Sequence, residues 1–520
     1  MPASAVRSRV QPLLLIVAAM ALGAGYAALM GEDANWDWQN YHEYNVWALL
    51  HGGYDRDALP PGFQTYFNPL VYVPWYGLRH MLPPLAAGMV MGAVHGLNLA
   101  LVGWLTQILL GRAATMLTVG AAVLLAACGP MTLSEVGTSF ADITTALPII
   151  AGLALMLGSE DPRPLRYMAA GLLVGLAVGF KLTNIVFALG LGVAALAAAR
   201  PLLAMSCLAL GGAVGCAATG GAWSLMLWRE FGNPIFPMFN AVFRSPELMA
   251  ANIMDWQFLP HGLLDALAYP FYWLVGDNRS SEYPFRDARF AVATVLIVLG
   301  IGRGLVTRTD IFARRDTQFL LFFGVSYAAW LAVFAIQRYA VALELLCAPL
   351  IVLLIARIMA GVPGSIPRRV ASPRLNAAML VAAVAIALWS QPGDWFRRPW
   401  SSPYQPAISN SLEQPANYLL LDKPLAYIAP LLPPQSRFYL IADIALPVMP
   451  DGKFDRRIRT ALQDPPAGGN WGLHTRDKPI REPLLERYGL RVDASRPCVE
   501  IEGAWLATAV EACPLVARAK

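Results

Sequence analysis

The sequence predicts an all-α polytopic membrane bundle of about eleven transmembrane helices, followed by a small C-terminal α/β domain outside the cytoplasm. Three observations predict this fold class: the composition, a series of apolar runs and the placement of arginines. Of the 520 residues, 57% are hydrophobic and 14% are charged, and the mean hydropathy is +0.49. Soluble domains have about 25% charged residues and avoid large exposed apolar patches, so the excess apolar surface must face lipid. A cytosolic enzyme, a nucleic-acid-binding protein and a secreted disulfide scaffold are therefore excluded as first interpretations.

The first apolar run covers residues 12–30 and follows Arg7 and Arg9. It is longer than the roughly 7–15 apolar residues of a signal peptide and lacks a small-residue cleavage site, so we interpret it as an uncleaved anchor. Lys181 and Arg338 each separate two of the later runs, which predicts two helical hairpins with very tight turns. The later runs cover residues 85–110, 113–129, 143–158, 167–180, 182–199, 202–228, 289–302, 317–336, 340–358 and 375–391.

Arginine placement predicts the orientation, because cytoplasmic loops carry an excess of Lys and Arg. With a cytoplasmic N-terminus, alternate short loops carry Arg112; Arg163 and Arg166; Arg200; Arg303, Arg308, Arg314 and Arg315; and Arg368, Arg369 and Arg374. The opposite loops, 31–84, 130–142 and 229–288, are long, aromatic and mixed in charge. An odd number of helices puts the C-terminal tail outside, so we expect a multi-pass protein of the bacterial inner membrane with a periplasmic tail.

We therefore expect a transmembrane domain over residues 1–391 and an extracytoplasmic soluble domain over residues 392–520. The tail has the composition of a soluble domain and contains strand-like runs. Near its end, two such runs flank Gly503 and predict a hairpin. Cys498 and Cys513 bracket this hairpin, and the sequence leaves open whether they form a disulfide in an oxidising compartment.

The first external loop, residues 31–84, concentrates acidic side chains at the outer mouth of the first helix. Glu32, Asp33 and Asp37 lie there, and acids near a membrane mouth suggest a functional role because charge is costly inside the bilayer. Ordinary solvated acids at the interface are the alternative. Two aromatic stretches of this loop, 46–54 and 67–76, are predicted to form interfacial helices with Trp and Tyr at headgroup depth.

Asp37-x-x-x-Tyr41, followed by Ala48-Leu-Leu-x-Gly-Gly-Tyr54, resembles the first external loop of the GT-C glycosyltransferases. These integral membrane enzymes take sugars from polyprenyl-phosphate donors, and family 87 and the aminoarabinose and protein mannosyl transferases belong to them. In the family, this loop runs from an Asp through a juxtamembrane helix to a Lys-Pro-Pro-like segment. Here that segment is Phe67-Asn68-Pro69-Leu70, so Asn68 or Phe67 replaces the basic residue.

Three further segments are similar to the family pattern, and the resemblance covers about residues 30–350 in order. Ser139-Phe-Ala-Asp142-Ile begins the fourth helix with an acid. Ala170-Gly-Leu-Leu-Val-Gly-Leu-Ala-Val-Gly-Phe-Lys181 resembles the family's Gly-rich short helix that ends in Lys. Gln337-Arg338-Tyr339, with Pro349 ten residues after Tyr339, resembles the Arg-Tyr…Pro element that begins a late helix. The tail carries no such resemblance.

The resemblance implies an inverting transfer in which Asp37 is the general base that removes the acceptor's proton, with Asp33 as the reserve base or an acidic partner. Lys181 and Arg338 stand alone at the outer ends of apolar helices. We expect them to stabilise the donor phosphate, with snorkelling interface anchors as the alternative. Arg244 in the loop 229–288 is a further expected phosphate ligand or part of a solvated rim. The other expected substrate-binding residues are Glu32, Tyr41, His42, Asn68, Asp142 and Tyr339.

The expected substrates are a polyprenyl-phosphate sugar as donor and a glycan, lipid or protein as acceptor, with the lipid bilayer as the surrounding partner. No other cofactor is expected. Because no nucleoside diphosphate is released, the reaction does not obviously require the Mg²⁺ site of soluble glycosyltransferases, and the sequence leaves use of a divalent metal open. Two other functions remain open. A flippase or transporter of lipid-linked sugars would need polar residues near the middle of several helices. A non-catalytic subunit of a cell-envelope glycan assembly system would need neither the acid nor the cations.

Overall fold

The computed structural model describes residues 3–158, 163–308, 311–360, 373–400, 409–442, 448–501 and 509–518. The chain forms two compact units, each built from segments that are distant in sequence. The first unit comprises Met1–Leu29, Gly88–Gly221 and Met254–Trp395, and the second comprises Met30–Ala87, Ala222–Ile253 and Phe396–Lys520. The predicted basic loop residues Arg368 and Arg369, and the predicted turn at Gly503, lie outside the described residues.

Helices make up the first unit, as expected for apolar segments whose backbone groups must bond to one another. The second unit contains further helices, and those of both units are named together. In chain order the described α-helices are α1 (Ala3–Met30), α2 (Glu43–His51), α3 (Gly53–Arg56), α4 (Val73–Met81), α5 (Pro84–Leu110), α6 (Met116–Ala127), α7 (Pro130–Glu135), α8 (Ala141–Leu157), α9 (Pro164–Phe180), α10 (Ile185–Ala195), α11 (Pro201–Cys216), α12 (Ala222–Phe231), α13 (Asn240–Phe243), α14 (Leu263–Val275), α15 (Arg289–Thr307), α16 (Arg314–Val333), α17 (Val341–Ala360), α18 (Pro373–Trp389), α19 (Lys453–Gln463) and α20 (Glu482–Glu486).

Six helical segments within the described residues are long and apolar enough to cross a membrane: Pro12–Met30, Pro84–Ala113, Pro201–Phe231, Arg289–Thr307, Arg314–Val333 and Gln337–Met359. Shorter apolar helices cover Met116–Ala127, Ala141–Leu157, Pro164–Phe180, Leu182–Ala195, Leu263–Val275 and Asn376–Trp389. Each apolar run predicted from the sequence falls on one of these helices, which is consistent with a multi-pass helical membrane protein. Full spans at all eleven predicted positions stay a prediction. The helix α14 lies within residues 229–288, which were predicted to form an external loop.

Helices α9 and α11 approach each other closely through glycines. A Cβ atom on Gly171, Gly175, Gly211 or Gly215 would lie 2.0–2.2 Å from a backbone oxygen of the facing helix. Small residues four apart allow such close backbone packing in membrane helices. The two α9 glycines belong to the Gly-rich run that ends at Lys181, so this packing also fixes the end of the helix that presents Lys181.

A mixed β-sheet forms the C-terminal part of the second unit and confirms the predicted small sheet region. The described strands are β1 (Glu32–Asp33), β2 (Arg397–Arg398), β3 (Asn417–Leu420), β4 (Arg437–Leu440), β5 (Asn470–Thr475), β6 (Leu490–Val492), β7 (Val499–Ile501) and β8 (Val510–Ala517). The sheet order is β4-β3-β5-β8-β6, with β7 also beside β8. Strand β3 is parallel to β4 and β5, whereas β8 is antiparallel to β5, β6 and β7. Cys498 and Cys513 form a disulfide beside the β7–β8 pair.

The first external loop packs on this sheet within the second unit. Ala58 forms a parallel bridge to Tyr439 of β4, and its amide and carbonyl groups bond to Phe438 and Leu440 at 3.0 Å. A shared apolar cluster combines the loop residues Leu59 and Tyr66, the α12 residues Leu227 and Phe231, and the tail residues Leu419, Phe454 and Ile458. The loop and the tail therefore share one hydrophobic core.

Asp57 links this loop to the sheet through hydrogen bonds. The Tyr44 hydroxyl donates to Asp57 Oδ2 at 2.7 Å, and the Phe438 amide donates to Asp57 Oδ1 at 3.0 Å. Burial raises the pKa of Asp57 from 3.8 to about 7, although the Tyr44 hydrogen bond and the charge of Arg56 act in the opposite direction. The native fold therefore binds this proton more tightly than the unfolded chain does. Its contribution to the free energy of unfolding falls as the pH rises from about 4 to about 7.

Replacing Asp57 by Asn is expected to flatten this pH dependence, because an amide has no charged form to bury. Between pH 5 and pH 8 the free energy of unfolding of the wild type should fall, relative to that of Asp57→Asn, by on the order of a few kcal/mol. Differential scanning calorimetry of the full chain in detergent measures the difference. Asp55→Asn, which alters an exposed acid of the same loop, should keep the wild-type slope. Parallel slopes for wild type and Asp57→Asn would contradict the assignment.

Gly175→Ala is expected to destabilise the first unit, because its methyl group would lie 2.2 Å from the Gly212 carbonyl oxygen. Overpacking of this kind costs about 1–3 kcal/mol. Gly192→Ala on α10 is the matched control, since no atom lies within 4 Å of the added methyl position. Thermal unfolding in detergent should show a lower midpoint for Gly175→Ala alone. Equal midpoints for the two variants would mean that α9 and α11 are not in close contact.

Candidate functional site

Glu32, one of the predicted substrate-binding acids, is a buried counter-ion in the second unit. Strand β1 pairs with β2 so that Glu32 faces Arg398 and Asp33 faces Arg397. The Glu32 carboxylate is fully buried, forms an ion pair with Arg79 and lies 3.4 Å from Nη2 of Arg398. A buried carboxylate needs such partners because its desolvation is costly. The Glu32 carboxylate therefore binds two guanidinium groups, one from the first external loop and one from the tail.

Arg79 and Arg398 both pair with the Glu32 carboxylate. The Arg79 guanidinium also lies 5.4 Å from the ring centre of Trp38 and 5.9 Å from that of Trp75. Burial and the neighbouring charge of Arg79 lower the pKa of Arg398, while Glu32 raises it. Sequence reasoning missed both arginines, since Arg79 and Arg398 are far apart in sequence and no motif spacing marks them.

The two candidate bases have different surroundings. Asp33 accepts two hydrogen bonds from Asn35, whose backbone amide and side-chain amide donate to Oδ1 at 3.1 and 2.6 Å. Asp37 accepts a hydrogen bond from the Tyr41 hydroxyl at 3.3 Å. A π-helical turn, Trp38–His42, begins directly after Asp37, and turns of this type are frequent at functional sites. Asp37 is thus oriented by an aromatic hydroxyl, whereas Asp33 shapes a local turn.

The predicted residues His42, Tyr41 and Asn68 lie in an aromatic part of the same unit. The His42 ring stacks on Tyr72 with centroids 4.0 Å apart, and Tyr41 meets Tyr72 edge-on at 5.7 Å. Asn68 caps the 3-10 turn Pro69–Tyr72 by accepting a hydrogen bond from the Leu70 amide at 3.1 Å. Asn68 therefore has a local structural role at the position where the related family has a basic residue.

Arg244, the predicted phosphate ligand of the loop 229–288, is exposed and has a left-handed backbone (φ 55°) at the end of α13. The turn is held by Asn240, whose side chain accepts from the Ser245 amide and donates to the Leu248 carbonyl. No ion pair joins the Arg244 guanidinium to a residue that the structure describes. This residue is accessible, and its role as a phosphate ligand stays a prediction.

In the first unit, Asp142 and Lys181 form a direct ion pair. The Lys181 ammonium lies 2.7 Å from both carboxylate oxygens of Asp142. Asp142 is in the first turn of α8, and Lys181 directly follows the last residue of α9. Each charge therefore has the sign that the adjacent helix dipole favours.

Tyr339 lies next to both predicted phosphate-binding cations. Its ring centre is 4.5 Å from the Lys181 ammonium and 5.4 Å from the Arg338 guanidinium carbon. Arg338 also lies over the rings of Phe140 and Trp395, at 5.8 and 5.5 Å. These contacts bring four predicted residues together: Asp142, Lys181, Arg338 and Tyr339.

Glu135, which lies in the predicted external loop 130–142, belongs to this group. It is fully buried and accepts a hydrogen bond from the Ile143 amide at 2.9 Å, so it caps α8. Burial, together with the charge of Asp142, raises the pKa of Glu135 well above its usual range, while Lys181 and Arg338 oppose this rise. The environment thus favours the neutral acid. No spacing signal in the sequence links Glu135 to the other members.

One described group, His474, Glu511 and Cys513, has ligand atoms close enough for a metal ion. Nε2 of His474 lies 3.6 Å from Oε2 of Glu511 and 3.5 Å from Sγ of Cys513. The Cys513 sulfur is bonded to Cys498 and is therefore no thiolate ligand. The remaining His and Glu are fewer than the three or four protein ligands that a zinc site uses, so the group does not fit a resident metal.

Comparison of the chain with protein-family models, curated proteins and solved structures gives no match. The two groups of polar residues, one in each unit, are therefore interpreted from their own chemistry. The first unit offers a buried Lys–Asp pair with a second cation and a neutral acid, and the second unit offers an oriented acid and an Arg–Glu–Arg cluster.

Lys181→Met is expected to destabilise the first unit strongly, because it leaves the buried Asp142 carboxylate unpaired. Breaking a buried pair costs about 3–5 kcal/mol. The double variant with Asp142→Asn should recover part of this loss, and chemical unfolding of the purified variants measures both. Lys478→Met, which removes an exposed lysine 3.6 Å from Asp422, should change stability by less than about 1 kcal/mol. A double variant no more stable than Lys181→Met would show that the pair is not coupled.

Proposed function

We propose that this chain is an inverting integral-membrane glycosyltransferase that moves a sugar from a polyprenyl-phosphate donor to a glycan, lipid or protein outside the cytoplasm. The single observation that carries the proposal is the shared position of Lys181 and Arg338 on the ring of Tyr339, at the ends of apolar helices. The order of acid, Gly-rich helix and Arg-Tyr element resembles that of GT-C enzymes. The proposal includes eleven spans, a cytoplasmic N-terminus and a periplasmic tail in a bacterial inner membrane.

The charge of the first-unit group suits an anionic donor. Lys181 lies 2.7 Å from Asp142, and Arg338 lies 3.9 Å from Glu282, a partly exposed carboxylate. The two cations lie beside the same Tyr339 ring, so one anionic group near this ring could interact with both. A departing polyprenyl phosphate gains negative charge in the transition state, and prearranged cations lower the barrier by stabilising it.

In the proposed reaction, Asp37 removes the proton of the acceptor hydroxyl as its oxygen bonds to C1 of the sugar. The bond between C1 and the phosphate oxygen breaks, and its electron pair leaves with polyprenyl phosphate. The Tyr41 hydroxyl, which donates to Asp37 at 3.3 Å, would hold the carboxylate in one orientation. Asp33 suits the role of base less well, since one of its oxygens already accepts two hydrogen bonds from Asn35.

The buried ion pairs of the candidate spans favour this proposal over a transporter. Glu344 lies in the first turn of α17 and Arg357 in the last, while Asp316 lies in the first turn of α16. Arg289, which pairs with Glu344 at 3.4 Å, is the first residue of α15. A transporter site is expected near the middle of its helices, whereas these described charges lie near helix ends.

Asp37→Asn is expected to reduce sugar transfer at least about 100-fold and to leave donor binding unchanged. The purified full chain and its variants in detergent would receive radiolabelled polyprenyl-phosphate hexoses and membrane-derived acceptors. Asp33→Asn is the matched control and should retain transfer. Equal transfer by Asp37→Asn and wild type would remove Asp37 as the base, and donor binding without transfer by the wild type would favour the flippase or subunit alternatives.

A further inference from the structure

Lys423, in the tail directly after β3, reaches the first external loop within the second unit. Its ammonium donates to the Pro61 carbonyl at 2.8 Å and to Oε1 of Gln64 at 3.3 Å. Both acceptors are neutral. The Lys423 ammonium therefore lies among residues of the first external loop.

The ammonium of Lys423 has no carboxylate within 4 Å among the residues that the structure describes. The adjacent Asp422 instead accepts hydrogen bonds from Thr475 and lies 3.6 Å from Lys478, whose own ammonium donates to the Lys423 carbonyl. Burial lowers the pKa of Lys423 from 10.5 to about 8. A partly buried cation without a counter-ion is a place where a bound anion would be stabilised.

Two aromatic rings flank this cation. The Lys423 ammonium lies 6.0 Å from the ring centre of Trp36 and 5.7 Å from that of Phe63. The Trp36 side chain is 36% exposed although it belongs to a loop segment that is otherwise almost entirely buried. An exposed indole beside a cation offers an apolar face and a charge to the same ligand.

Gly62 makes room for the ammonium. Its φ of 74° is a conformation that favours glycine, and a Cβ atom there would lie 2.2 Å from Nζ of Lys423. Any larger residue at this position would displace the charge. The absence of a side chain at Gly62 therefore leaves space for the Lys423 ammonium.

We propose that Lys423, Trp36 and Phe63 form a binding subsite for an anionic pyranoside, with the ammonium on the phosphate or carboxylate and the indole against the sugar ring. The inference rests on the proposed glycosyltransferase function and extends it, since it makes the tail part of substrate recognition. The anionic group comes either from the sugar phosphate of the donor or from a uronic acid of the acceptor.

The chain contains five lysines, Lys181, Lys423, Lys453, Lys478 and Lys520, so lysine labelled with ¹³C at Cε gives few NMR signals. The full chain in detergent would be titrated with glucose 1-phosphate, glucuronic acid, inorganic phosphate and methyl glucoside, and Lys423→Arg assigns the signal. An anionic pyranoside should raise the titration midpoint of Lys423 by about one pH unit, because the anion stabilises the ammonium. Glucose 1-phosphate acting alone would identify the donor phosphate, and glucuronic acid acting alone would identify the acceptor.

Trp36→Ala and Gly62→Ala should each weaken binding of the active probe at least tenfold, the second without removing any side chain of the subsite. The matched control is Trp256→Ala, which alters an exposed tryptophan of the first unit. A Lys423 signal unmoved by both anionic sugars would overturn the subsite. Equal shifts with inorganic phosphate, unaffected by Trp36→Ala, would also overturn it. Probe binding in a chain that transfers no sugar would refute the proposed function but not the subsite.

Discussion

The cost of removing a charged group from water determines where polar chemistry can lie in this chain. A buried ion needs an opposite charge and hydrogen bonds close by, and the buried ion pairs of the first unit meet this need near helix ends. Asp142 pairs with Lys181 there, and Arg357 with Asp316. Helix termini also supply unpaired backbone groups and a dipole of the required sign. The apolar interiors of the helices are thereby left to pack, and the polar residues gather at their ends.

The second unit satisfies the same constraint by joining segments that are distant in sequence. Glu32 of the first external loop holds Arg398 of the tail, Asp57 of the loop accepts a hydrogen bond from the Phe438 amide, and Lys423 of the tail is held by loop carbonyls. Removing the tail would take away one partner of each of these polar loop groups. The tail is therefore a structural part of the unit that carries the first-loop acids, and truncating it would disturb their surroundings.

Sequence reasoning identified the features that depend on local pattern. Apolar runs marked the helices, and charged residues between runs marked the ends at Lys181 and Arg338, because a membrane helix is recognisable from its own composition. The partners of Glu32 and the burial of Glu135 were not predictable, since they come from contacts between segments that share no spacing. The short helix α14 was also missed, because a mostly apolar segment of thirteen residues is too short to stand out as a span. The roles of Asp37 and the two cations stay predictions drawn from chemistry and resemblance.

The most direct test of the account is to follow the fate of the donor's phosphate. Purified full-length protein would be incubated with a polyprenyl-phosphate hexose labelled with ³²P and with membrane-derived acceptors, and the lipid products separated. Transfer through Asp37 with inversion at C1 predicts that ³²P appears in polyprenyl monophosphate in step with glycosylated acceptor. Donor lipid that stays intact, whether bound or moved across a vesicle membrane, would contradict the glycosyltransferase assignment.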